Sequence, residues 1–297
     1  PMQSSVTYRQ GVVLVVAAAF LWSLMGLFIR LIGDAGTWQV LFYRSLGMIP
    51  VLYIAIAIRS GGRPVAAMWR MGAAGLVGGL GLVVAFAGAI FAVQTTAVAN
   101  AVFLFAATPL MTAVLGWLIL REPVRPATWA AIALATVGIF VMVREGLSLG
   151  AGLGNLAALL SAVGFAAFTI TLRWGRLSDM IPATLIGAIL AAVAAAIVVA
   201  LRGESFALPI RGVLIAMGIG AIILGVGLSI FTLGSRVVPA AELSILALVE
   251  VLLGPVWVWI FLGETASSGI FLGGAILLTA ILGNALAGQR QRAARPG

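Results

Sequence analysis

The sequence contains no cysteine, no histidine and no lysine, and only eight acidic residues. Each absence closes a class of chemistry. Without Cys there is no disulfide and no thiol nucleophile, and without Cys and His the usual zinc ligands are missing. Without Lys there is no Walker A loop for ATP and no Schiff base for retinal or pyridoxal phosphate, so no cofactor is expected. Charged residues make up 8% of the 297 positions, whereas 63% are hydrophobic and the mean hydropathy is +1.22. A soluble domain of that length needs about a quarter of its residues charged, so the bilayer is the solvent this chain fits.

What charge there is belongs to arginine, which supplies all 17 basic residues and a net charge of +9. In a soluble protein that balance would point to nucleic acid. Here it fits arginines placed at a membrane face with some attraction to anionic lipid, and no nucleic-acid partner is expected.

A bilayer core takes roughly 20 apolar residues as helix. Ten spans are predicted, near 11–32, 38–58, 71–91, 98–120, 127–143, 152–172, 182–201, 212–233, 240–262 and 268–287, separated by Gly, Pro and Arg clusters. The first is preceded by Gln3, Ser4, Ser5 and Thr7 without a small-residue cleavage site and is expected to be retained, while Pro1 before Met2 reads as a remnant of tag removal. Counting arginines at the flanks gives 12 on the side of the amino end and 4 on the other, so both termini are expected in the cytoplasm. The 12 include Arg290, Arg292 and Arg295.

Two stretches repeat each other. TPLMTAVLGWLILRE (108–122) and EVLLGPVWVWIFLGE (250–264) align Glu122 on Glu264 and Trp117 on Trp259. Likewise 11–30 aligns with 154–173 and sets Arg30 on Arg173. A period of half the chain implies two units, 6–146 and 150–289, of five spans each. Five is odd, so the second unit enters the membrane from the opposite side. The expected fold is therefore all-α, with ten transmembrane helices as two inverted five-helix repeats, the sequence mark of a transporter.

These residues resemble the drug/metabolite transporter superfamily in its EamA-type ten-helix branch. The likeness lies in Leu21-Trp22-Ser23 in the first span, Arg44 in the second, Thr108-Pro109 to Arg121-Glu122 in the fourth, and Glu250 fourteen residues before Glu264 in the ninth. The chain departs from the pattern at Val251, where the family usually has Pro, and carries Pro255 four residues later. The second-half counterparts of Trp22 and Arg44 are Phe165 and Gly187, so the halves have diverged. The resemblance implies a secondary transporter of small metabolites. Its nearest type is the YddG-like bacterial exporter of aromatic and other amino acids, which would make amino acids or related metabolites the substrate and the inner membrane the location.

Candidate site residues follow from depth and spacing. Glu250, roughly 15 Å into its span, reads as a substrate-binding or proton-accepting group, or as half of a structural pair. Arg44, about 9 Å below the outer surface, could snorkel outward, pair with Asp34 or another acid, or bind a substrate carboxylate. Glu122 and Glu264 are expected to cap the helices that follow them, beside Thr128 and Ser267. Glu242 reads as an acid in a first helical turn. Glycines in the third and eighth spans, Gly79 and Gly225 among them, read both as close-packing positions and as pointers to a site. The cavity is expected between spans 3, 4, 8 and 9, with 1 and 6 as movable walls. Its lining would include Trp22, Ser23, Phe86, Asn100, Phe103, Phe165, Phe168, Thr169 and Ser229, while Trp38, Trp69, Trp129 and Trp174 fit an interfacial belt.

The reading is a monomeric exporter working by alternating access, with a multidrug or other-metabolite transporter of the same fold as the alternative. A membrane-embedded lipid enzyme would need clustered nucleophiles or metal ligands that the sequence does not offer. A channel would need rings of polar groups along one path.

Overall fold

The structure, a computed structural model, describes residues 6–148, 150–177, 179–238, 242–243 and 246–293. Among them it is helical without strands. The helices are α1 Tyr8–Ile32, α2 Thr37–Arg59, α3 Gly72–Thr95, α4 Val98–Leu120, α5 Pro126–Ser148, α6 Gly152–Trp174, α7 Met180–Leu201, α8 Ile210–Gly234, α9 Leu248–Leu262 and α10 Ser268–Ala293. Nine of these are long and apolar enough to cross a membrane, and the chain is a multi-pass membrane protein. The exception is α9, at 15 residues. The span expected over 240–262 begins in a stretch of which 240, 241, 244 and 245 lie outside the described residues, as do Pro239, Ser4 and Arg295; helix resumes at Leu248 after a turn at Ala247. Glu250 therefore sits in the first turn of α9 instead of deep within a continuous span.

Three helices expected to be continuous are interrupted. In α1 the break is at Leu24, beside Ser23, whose hydroxyl donates to the Phe20 carbonyl at 2.6 Å. In α4 it falls at Ala106–Ala107, just before Thr108-Pro109. Pro109 has no N–H for the Phe105 carbonyl and crowds it, and the Thr108 hydroxyl donates there instead, at 2.6 Å. In α8 the ladder widens to π-turns over Ile219–Val226. Its first-half counterpart, α3, runs as unbroken α-helix for 24 residues.

Packing is crosswise between the halves. α1 lies on α8 and α9 of the second half, and α6 lies on α3 and α4 of the first. α2 packs on α7 and α8, α7 also on α3, and α5 on α10. Small residues permit this because lipid supplies little hydrophobic drive between helices, and close backbone approach has to supply the attraction. The register repeats residue by residue. A Cβ on Gly154 of α6 would meet Thr95 and Thr96, and one on Gly11 of α1 would meet Val237 and Val238. On α3, Gly81 approaches the Gly164 carbonyl of α6 and Gly88 that of Ala157, fixing the two helices antiparallel; Gly234 on Gly11 and Gly227 on Trp22 do the same for α8 and α1.

The fourth helices of the two halves end alike. Arg121 (φ 55°) and Gly263 (φ 65°) are both left-handed, and the next N–H, of Glu122 or Glu264, reaches back six residues to Gly116 or Val258 at 3.2 Å in each case. A left-handed residue ends each helix, which explains why glycine suits the position before that glutamate. Of the tryptophans expected at span ends, Trp69, Trp129 and Trp174 are exposed on the outer surface. Trp38 instead packs partly against the core.

Candidate functional site

The clearest polar constructions join the halves. Arg30, in the last turn of α1, pairs with Glu264 beyond α9, Nε to Oε2 at 3.0 Å. Arg173, in the last turn of α6, pairs with Glu122 beyond α4 at 2.5 Å. These are the same two repeat positions met crosswise. The expectation that the glutamates cap the following helices is corrected in both cases. Glu264 instead accepts the Val98 N–H at the start of α4, at 2.7 Å, while Thr128 donates to Asn284 at 2.7 Å and Ser267 alone caps α10 through Ile270. Arg30 also donates to the carbonyls of Thr96 at 2.8 Å and Gln94 at 3.3 Å. Glu242, far from inert, accepts the Tyr8 hydroxyl at 2.6 Å.

Arg44 is 1% exposed, so it does not snorkel, and among the described residues it forms no ion pair with Asp34, Glu250 or any other acid. Its guanidinium lies over the Phe86 ring, 4.5 Å from the centroid, with Nε and Nη2 buried and unpartnered. The Arg44 carbonyl abuts Gly220 of the π-segment so closely that it leaves no room for a Cβ there. Gly47 and Met217 form a second tight crossing of α2 on α8.

A further cluster surrounds the α1 break. Trp22 stacks on Phe231 of α8 with centroids 5.1 Å apart, its indole N–H buried without a partner. Buried Ser23 accepts the Trp257 indole N–H of α9 at 2.9 Å. Trp257 was not singled out in the sequence, although it stands two positions before the repeated Trp259. Ser229 bonds back to the Gly225 carbonyl at 2.7 Å, just past the π-turns, and Gly225 itself lies on Val51 of α2.

The other candidates face elsewhere. Gly79 packs on Ile186 and Leu190 of α7. Buried Asn100 donates to Thr96 and to Asn155 of α6, a residue the sequence reading passed over, with its own carbonyl oxygen unpartnered. Phe103 turns to Gly274 and Phe271 of α10. Phe165 is exposed at the edge of buried Phe168, which faces Gly78 of α3, and Thr169 bonds back to the Phe165 carbonyl. Glu250 is partly buried. The thirteen candidates thus fall into separate clusters, with the Arg44 backbone and Trp22 both against α8. A cavity of about 210 Å³ beside Glu264, between the start of α4, α9 and α10, is lined by none of them; its walls include Ala97, Pro255, Trp259 and Phe271.

Comparison with known proteins gives a likeness of fold and a family match over part of the chain. No curated protein matches the sequence. One solved structure, described only as the crystal structure of a protein, superposes with a TM-score of 0.64 over 95% of this chain and 99% of its own, at 19% identity, a likeness of fold alone. Residues 9–144, from α1 into α5, match the model of the EamA-like transporter family.

Proposed function

We propose that the protein is a secondary transporter that moves small metabolites across the bacterial inner membrane by alternating access, as an exporter of aromatic and other amino acids, with both termini cytoplasmic. Residues 150–289 are then a second five-helix unit, inverted relative to 6–146, and α9 together with the helical residues before it is the tenth crossing. The observation that carries this reading is the crosswise pair Arg30–Glu264 and Arg173–Glu122. Each ties the first helix of one half to the fourth helix of the other, at opposite ends of the bundle in the proposed topology. Interlocked halves with equivalent contacts at both ends can exchange which end is open, and helices broken near mid-length, as α1, α4 and α8 are, suit a solute site between them.

The test uses purified protein in lipid vesicles. Labelled L-phenylalanine should show counterflow that empty vesicles lack; absence of counterflow for every amino acid in a panel removes the exporter reading. Orientation is read separately, in a chain with no native cysteine. Ser205→Cys should react with an impermeant thiol reagent in intact cells, and Ser60→Cys should react only after lysis. The reverse pattern overturns the topology.

A further inference from the structure

We infer that the Arg44 guanidinium, lying on Phe86 of α3 while the Arg44 backbone meets the π-turns of α8, is the subsite that binds a carboxylate of the transported solute. The inference rests on the transporter reading and names the chemistry of its solute. An arginine inside a bilayer is expensive unless an anion, a backbone carbonyl or water meets it; Arg44 Nε and Nη2 have no such partner, and none of the acids of this chain pairs with it. Glu122, Asp179, Glu204 and Glu264 are in ion pairs with Arg173, Arg59, Arg202 and Arg30. Glu242 holds Tyr8, Glu145 has partners of its own, and Asp34 is exposed between α1 and α2. Glu250 remains, and it forms no ion pair with Arg44. The counter-charge therefore comes from outside the chain.

The unpartnered atoms say which anion. Nε and Nη2 form one edge of the guanidinium, and their parallel N–H bonds match the two oxygens of a carboxylate. Phe86 lies against the group at 4.5 Å from its ring centroid, and the Nε–Nη2 edge is buried without a hydrogen-bond partner. The fold also supplies its own control. The counterpart position in the second half is Gly187, packed directly on Leu82 of α3, so this place between helices is filled without a charge when no ligand is required. The π-turns likewise occur in α8 and not in α3, and π-turns concentrate at functional sites. Arg44 is 1% exposed, so the subsite is closed in this conformation and fills when a neighbouring helix moves away.

The test compares 3-phenylpropionate with its neutral isostere 3-phenylpropanamide on the detergent-solubilised protein. Wild type should gain thermal stability with the acid and not with the amide. Arg44→Gln should be at least as stable as wild type without ligand, because an unpaired charge has gone, and should lose the response to the acid. Arg44→Lys keeps the charge without the fork and should bind the acid at least about tenfold more weakly. An unchanged acid response in Arg44→Gln, an equal response to acid and amide, or a ligand-free Arg44→Gln that unfolds well below wild type overturns the assignment. In vesicles, equal phenylalanine counterflow by wild type and Arg44→Gln removes the subsite and leaves the transporter. An acid response without any counterflow removes the transporter and leaves the subsite.

Discussion

Arg30–Glu264 and Arg173–Glu122 occupy equivalent positions in the two halves, yet their surroundings differ. The first pair is about a quarter exposed, at 27% and 22%, and is embedded in backbone: Glu264 also receives the Val98 N–H, and Arg30 also reaches two carbonyls of the α3–α4 turn. The second is 48% and 37% exposed. The same two residue types make a partly desolvated junction of three segments at one end and a solvent-screened contact at the other. The pair recurs at aligned sequence positions; its strength is set by what packs around it.

That difference can be measured. Glu264→Gln should be the most damaging of the changes considered, costing about 2–3 kcal/mol, because it weakens a charge-assisted contact to α4 as well as the ion pair and leaves Arg30 uncompensated. Thermal unfolding in detergent reads this; a cost equal to that of Glu122→Gln erases the distinction between the two ends. Gly263→Ala should cost about 1–2 kcal/mol, since φ at that position is +65° and a Cβ there is strained. At the matching position the effect reverses. Arg121→Gly should stabilise by about 0.5–1 kcal/mol by releasing the same strain in the first half, and a loss of stability would show that the Arg121 side chain holds something the backbone geometry does not reveal. Glu122→Gln should be the mildest, under about 1 kcal/mol and smaller still in high salt. A salt-insensitive cost there would mean that the Arg173 end is as well protected as the other.

The comparison of α3 with α8 carries the same lesson in packing. Glycine recurs in both, and both read alike as strings of small residues. Yet Gly78, Gly81 and Gly88 seat a straight α3 on α6, whereas Gly220 meets Arg44 at a π-turn and Gly227 meets Trp22. The glycines announced close approach, and nothing in their spacing announced the partner. Asn100, Phe103 and Gly79 were plausible cavity residues for the same reason, and each is taken up by a different neighbouring helix.

The sequence by itself indicated the membrane as solvent, the approximate crossings and a likeness between its own two halves. Apolar length and the ends of apolar runs are one-dimensional quantities measured against a bilayer of fixed thickness, and a repeat needs only an alignment. It also marked Arg30, Arg173, Glu122 and Glu264 as equivalent positions. Only the tertiary structure decided that Arg30 meets Glu264 and not Glu122, that α1, α4 and α8 break where they do, and that Arg44 lies on Phe86 with a buried, unpartnered edge. Helices in lipid attract one another through close packing and polar contacts, with little hydrophobic drive to single out a face. Several faces of each helix are therefore compatible with the same sequence until all the neighbours are in place, and partner choice is settled there.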